Sequence, residues 1–96
     1  MYAITGKVFD KVTGLAINEA VISIHSINGF SNDIAQLTNE QGIFKWSDLD
    51  KGNYEIKIIK EAYLQQSIFI NVSEITNHNN NDEIIKEVTI LLEKSL

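Results

Sequence analysis

The chain has 96 residues, 44% of them hydrophobic, which fits one packed domain with a single core and argues against disorder. It contains no cysteine, which removes disulfides, thiol catalysis and cysteine-ligated zinc. Thirteen acidic residues against eight basic ones, all of them lysine, give a formal charge of −5, a poor match to nucleic acid or an anionic membrane.

Residues 1–10, MYAITGKVFD, lack a basic start followed by an apolar core, so no signal peptide is visible, and no apolar run is long enough to insert in a bilayer. The expectation is a cytoplasmic protein or part of an assembled particle, or else a module of a longer surface protein. Residues 2–9 then alternate, with Ile4, Gly6 and Val8 on one face and Thr5, Lys7 and Phe9 on the other, which predicts a first strand. Asp10 to Gly14 reads as a turn, capped by the aspartate and closed by the glycine. Residues 15–19 cross over, and 20–27 form a second strand with Ala20, Ile22 and Ile24 inward.

Asn28-Gly29 is a turn signal, residues 30–33 continue that loop, and 34–38 make a short third strand. After a turn at 39–42, residues 43–46 and 53–60 form strands four and five around a polar turn at 47–52, with Leu49 plugging one end of the core. Phe44, Trp46, Tyr54, Ile56 and Ile58 all fall at spacings of two and face inward. Residues 61–63 bend, and Gln66–Val72 is a sixth strand with Ile68, Ile70 and Val72 inward. A polar loop at 73–82 precedes a last strand over 83–93, where the β-branched run Val88-Thr89-Ile90 favours strand over helix. The sum is an all-β, Greek-key, antiparallel-rich β-sandwich of about seven strands. Its expected core is Ile4, Val8, Ala20, Ile22, Ile24, Phe44, Trp46, Leu49, Tyr54, Ile56, Ile58, Ile68, Ile70, Val88 and Ile90.

Taken together, Ile4-Thr5-Gly6-Lys7-Val8, Asp10, Thr13-Gly14, Ala20, Ile22 and Ile24, followed by Thr38, Gly42, Phe44, Leu49, Gly52, Tyr54, Ile56, Ile58 and Tyr63, resemble the carboxypeptidase regulatory-like domain, a transthyretin-like sandwich. The resemblance covers about residues 3–72 and implies one such domain over 1–96. It implies strands two, three, five and six in one sheet and one, four and seven in the other. The chain departs from the pattern at Ala62, where the family usually has glycine before the aromatic, and at Asn18-Glu19, where a proline-and-glycine crossover is common. The hydrolase branch of this fold uses several histidines and a tyrosine-containing C-terminal motif; this chain has two histidines and ends EKSL.

No set of residues in the sequence makes an acid–base pair, so the expectation is a non-enzyme without cofactor or metal. His25 and His78 lack ligand mates at i+2 or i+4 and read as exposed polar surface. Asp48, Asp50 and Glu55 are too closely spaced for a twelve-residue calcium loop; Asp10, in a different turn, is expected at the same end of the sandwich. Lys7 invites comparison with surface domains that form isopeptide bonds, but it alternates outward and the last strand has no asparagine. Asn71-Val72-Ser73 fits the glycosylation acceptor pattern by chance at a strand end. Trp46 and Tyr54 read as core rather than as sugar platforms; Tyr2 and Tyr63 leave that open.

The function these features favour is a structural or protein-interaction module: a spacer, adaptor or assembly subunit. A carbohydrate-binding module is the alternative. Residues 65–72, QQSIFINV, carry no charge, proline or other edge protection, and the resemblance puts strand six at a sheet edge. That strand is the expected interface, with Ser67, Phe69 and Asn71 on its outer face and Ile59 on the neighbouring strand. Its partner would be a second copy or a larger assembly, joined by sheet extension.

Overall fold

A computed structural model describes residues 2–27, 34–72 and 84–95. Among them run seven strands: β1 (Tyr2–Asp10), β2 (Val21–Ser26), β3 (Ile34–Leu37), β4 (Ile43–Leu49), β5 (Gly52–Ile59), β6 (Gln66–Val72) and β7 (Ile84–Leu92). The turn at Asn28-Gly29, the loops at 30–33 and 73–82, His78, and Ser73 of the acceptor pattern lie outside the described residues.

The strands form two sheets, ordered β4-β1-β7 and β3-β2-β5-β6. This is the division implied by the family resemblance. All pairings are antiparallel except β1 with β7, which run parallel from Tyr2–Ile84 to Asp10–Leu92. The core lies between the sheets and follows the period of two. Ile4, Val8, Ile22, Phe44, Ile56, Ile58 and Leu92 are essentially sealed from solvent. Gly6 belongs to the same inward row, and its missing side chain makes room for the Phe44 ring, which would lie only 2.3 Å from an added Cβ. Phe44 meets Trp46 edge-on, their centroids 5.3 Å apart. The indole Nε1 of Trp46 is buried and meets no acceptor among the described residues.

All fifteen expected core residues belong to this core or pack against it, with Leu49, Ile68 and Val88 only half-buried. Ala3, Ile17, Val72 and Leu92 join them. Ile17 escaped the periodicity because it sits in the crossover, where its N–H donates to the Val8 carbonyl at 3.0 Å and draws the side chain inward. The turn between β4 and β5 is also tighter than the polarity of 47–52 suggests, because β4 continues to Leu49 and β5 begins at Gly52. One extra β4 residue lies between the pairs Tyr2–Leu49 and Ile4–Trp46. That bulge shifts the alternation by one, so Leu49, out of phase with Phe44 and Trp46, still packs on the core.

Candidate functional site

Two places on the molecule concentrate polar or exposed groups: the corner where β1 ends, and the free edge of β6. At the corner, Asp10 is almost completely buried. Its Oδ1 accepts the N–H groups of Val12 and Thr13 at 2.8 and 2.9 Å, and its Oδ2 accepts the Tyr63 hydroxyl at 2.6 Å. The first two bonds shape the turn that Gly14 closes by donating to the Asp10 carbonyl at 2.9 Å. The third ties that turn to the bend before β6, 53 residues away in sequence.

The Tyr63 hydrogen bond, then that of Thr13, lowers the Asp10 carboxyl to a pKa of about 2, with burial opposing and Val12 and Lys94 assisting. The same bond, then burial, raises the Tyr63 phenol above its ordinary 10.0. A carboxylate so acidic, with both oxygens engaged, is a poor general base at neutral pH; it acts as a lock. Beside it lies an open cavity of about 290 Å³, with Ala16 and Ile17 in its wall and Lys60, Tyr63 and Lys94 around it.

Two unusual backbone conformations flank this corner. Glu19 and Ala62 have φ of 58° and 72°, the left-handed region that favours glycine. These are the two places where the chain departs from the family pattern, so the backbone keeps the glycine-type conformation without the glycine. Thr38 supports the crossover from the other side: its buried hydroxyl donates to the Ile17 carbonyl at 2.6 Å and accepts the Ala20 N–H at 2.9 Å. The tie between Asp10 and Tyr63 had no local signal in the sequence, since the two residues lie 53 positions apart.

Asp10 stands at the far end of β1 from Tyr2, which pairs with Leu49. The length of that nine-residue strand, roughly 27 Å at its usual rise, separates Asp10 from Asp48 and Asp50, so they do not share an end. Among the described residues no three His, Asp or Glu side chains converge as a metal site. His25 instead faces Glu55 directly across β2 and β5, with Nε2 and Oε1 3.2 Å apart. Lys7 is exposed on the outer face of its sheet. No helix among the described residues is long and apolar enough to cross a membrane.

Strand β6 is an edge strand. Its start is covered: Leu64 donates to the Glu93 carbonyl at 2.8 Å, Ser95 donates to Ala62 at 3.0 Å, and the Gln66 side chain donates to the Leu91 carbonyl. Beyond Gln66, among the described residues, only β5 pairs with it. Ser67, Phe69 and Asn71 share its outer face, and Phe69 is 69% exposed. Asn71 donates through Nδ2 to the Asn53 side chain at 2.7 Å. Phe69 sits opposite Glu55, whereas Ile59 pairs with Val21. Four residues of β5 therefore separate Ile59 from the Phe69 row, about 13 Å. Ile59 belongs instead to an apolar row with Val21 and Leu37. Among the described aromatics only Phe69 is exposed; Trp46 and Tyr54 are buried, and Tyr2 and Tyr63 are half-buried.

No family model matches the chain, and no curated protein matches it in sequence. Solved structures do match in fold. The major pilin subunit BcpA of Bacillus cereus superposes with a TM-score of 0.73 at 22% identity, over 98% of this chain and 30% of that one. The group B streptococcus pilus 2b backbone protein gives 0.71 at 19% identity, over 97% and 41%. The 5-hydroxyisourate hydrolase of Klebsiella pneumoniae gives 0.69 at 14% identity, over 99% and 92%. The chain thus spans less than half of either pilus protein. The architecture is a transthyretin-like β-sandwich, all-β with seven strands in two sheets among the described residues. It is shared by fibre subunits and by an enzyme, so the fold alone selects neither.

Proposed function

We propose that residues 1–96 form a single carboxypeptidase regulatory-like domain that serves as a non-catalytic structural module: a spacer, adaptor or assembly subunit that docks to protein through the β6 edge. One observation carries this reading. The edge from Ser67 to Val72 is uncharged, unpaired on its outer side by any described residue, and crowned by the exposed Phe69. A free edge offers its backbone N–H and C=O groups to an incoming strand, and an apolar side chain beside it adds an anchor. The pilin subunits among its fold neighbours support an assembly role by analogy. The engaged, strongly acidic Asp10 supports a structural use of the polar cluster at the end of β1.

The test is co-purification of the tagged chain from its source, compared with the variant Phe69→Lys. The expected result is that the wild-type chain migrates with a protein partner and the variant does not, at equal melting temperature. A hydrolytic activity found in a broad substrate screen and lost on changing one exposed residue would overturn the reading.

A further inference from the structure

We infer that the cavity beside Asp10 is a binding site for a small organic carboxylate, held by the Lys60 and Lys94 ammonium groups over an apolar wall of Leu15, Ala16 and Ile17. The site shares no residue with the docking edge from Ser67 to Val72 and does not rest on that reading. Its frame is Tyr63. The Tyr63 hydroxyl donates to Asp10 at 2.6 Å, and its N–H donates to the Lys60 carbonyl at 3.0 Å. Its backbone pairs with Lys94 across an isolated antiparallel bridge. The residue that locks the corner therefore also sets both lysines around one opening of about 290 Å³.

Charge selects an anion. The whole chain carries −5, yet among the described residues the wall of this cavity holds two lysines and one acid, Asp10. Both Asp10 oxygens are already taken by Val12, Thr13 and Tyr63. The Tyr63 hydrogen bond does most to hold that carboxyl acidic, and Lys94, acting through space, does least. Glu93, the neighbour of Lys94, turns to Lys11 at 3.5 Å, and Glu61, next to Lys60, is not in the wall. No described carboxylate forms an ion pair with Lys60 or Lys94. Lys60 is half-buried, and an ammonium group partly withdrawn from water at the rim of a recess favours an anion that enters it.

The wall also narrows the class of anion. Two positive charges against one negative match a single negative charge better than a divalent phosphate. Ammonium groups act as point charges, so the rest of the wall must fit the body of the ligand. Leu15 is 69% exposed, and a ligand with an apolar body would take that surface out of water. Thr13 and Asn18 add a hydroxyl and an amide for polar substituents. The volume lies at the small end of ligand pockets, which suits one ring or a short chain. A free small acid and the carboxyl end of a peptide both present this chemistry.

The test titrates the full chain with benzoate and follows the backbone amides by NMR. Saturable shifts should appear at Ala16, Lys60, Tyr63 and Lys94, with a Kd of about 1–10 mM. Benzamide, which keeps the ring without the charge, should bind about fivefold more weakly or worse, and inorganic phosphate should also bind more weakly than benzoate. Lys60→Gln and Lys94→Gln should each weaken benzoate by about twofold to fivefold at unchanged melting temperature. Lys51→Gln, in the turn between β4 and β5 at the opposite end, should leave binding as it is. N-acetylphenylalanine separates the two sources. Tighter binding than benzoate supports the site with a peptide carboxyl end as its ligand, and weaker binding supports it with a free small acid. Benzoate shifts absent up to about 50 mM overturn the site. So does equal binding of benzamide, or benzoate affinity retained when Lys60→Gln and Lys94→Gln are combined. Tighter binding of phosphate than of benzoate overturns the carboxylate class.

Discussion

The two ends of the β6 edge are finished in opposite ways. At its start, Tyr63 is bonded to Asp10, residues 62–64 are laced to the C-terminal segment, and the Gln66 amide reaches Leu91. From Ser67 onward no described group takes the outer side. The diagonal corner of the sandwich resembles the first end, since Gln36 on β3 holds both backbone groups of Lys45 on β4. Two glutamine amides thus do the work of a strand where the sheets come close, and a sandwich of separate sheets is closed by single side chains at chosen points. The stretch without such a side chain is also the stretch without charge. An edge that is neither covered nor charged is the exception among monomeric sheets.

The largest effect should come from removing what both ends rest on. Phe44 lies under Gly6 and against Trp46, fully buried. Phe44→Ala should cost about 3–5 kcal/mol, a large share of a small domain's stability, and denaturant unfolding measures it. A loss under about 1 kcal/mol would mean that the ring is not part of the core.

The locked end should reveal itself in pH. The Asp10 pKa is lowered to about 2, so its contribution is fully present above its unfolded value, about 4, and is lost as pH falls from there through about 2. The Tyr63 pKa is raised, so its contribution is present below 10.0 and is lost as pH climbs through the higher folded value. Tyr63→Phe should shrink both shoulders together and move the Asp10 carboxyl, followed by NMR titration, back toward its ordinary value. An Asp10 titration unmoved by that change would place the cause elsewhere. No such response should follow from Phe69→Lys at the open end.

The closed corner at β3 and β4 offers a smaller test. Gln36→Ala removes two hydrogen bonds to Lys45 and should cost about 1 kcal/mol, with faster exchange of the Lys45 amide. If exchange at Lys45 is unchanged, the amide is not what closes that edge.

The strands and their inward faces were legible because alternation survives wherever a strand lies between core and solvent, while the division into sheets came from the family resemblance and not from alternation. Phe44, Trp46, Ile56 and Ile58 show it plainly. Alternation fails at the bulge before Leu49 and in the crossover that buries Ile17, where burial depends on a backbone bond to Val8. It also carries no information on long-range side-chain ties. Asp10 reads locally as a turn cap, which it is, but its second oxygen serves Tyr63 from across the fold. The bare, uncharged character of β6 was legible in composition and its edge position came from the family resemblance, while the separation of Ile59 from Phe69 needed the register.

The smallest effect is a gain, and it bears on how the locked end is held. Ala62 has φ of 72°, which brings its Cβ close to the neighbouring carbonyl. Its carbonyl accepts from Ser95, and the next residue is Tyr63, whose N–H donates to Lys60 at 3.0 Å. The bend therefore aims the tyrosine at Asp10 and starts the pairing with the C-terminal segment, and it retains an unfavourable conformation to do so. Glycine adopts that conformation without the steric cost but loses more freedom on folding. Relief of strain of about 1–2 kcal/mol against an entropic loss of about 0.5–1 kcal/mol leaves Ala62→Gly stabilising by about 0.5–1 kcal/mol. Thermal unfolding should show a modest upward shift with the Asp10 titration unaltered. A destabilised variant would mean that the alanine methyl contributes packing there that outweighs the strain, and the locked end would then depend on contact as well as on hydrogen bonds.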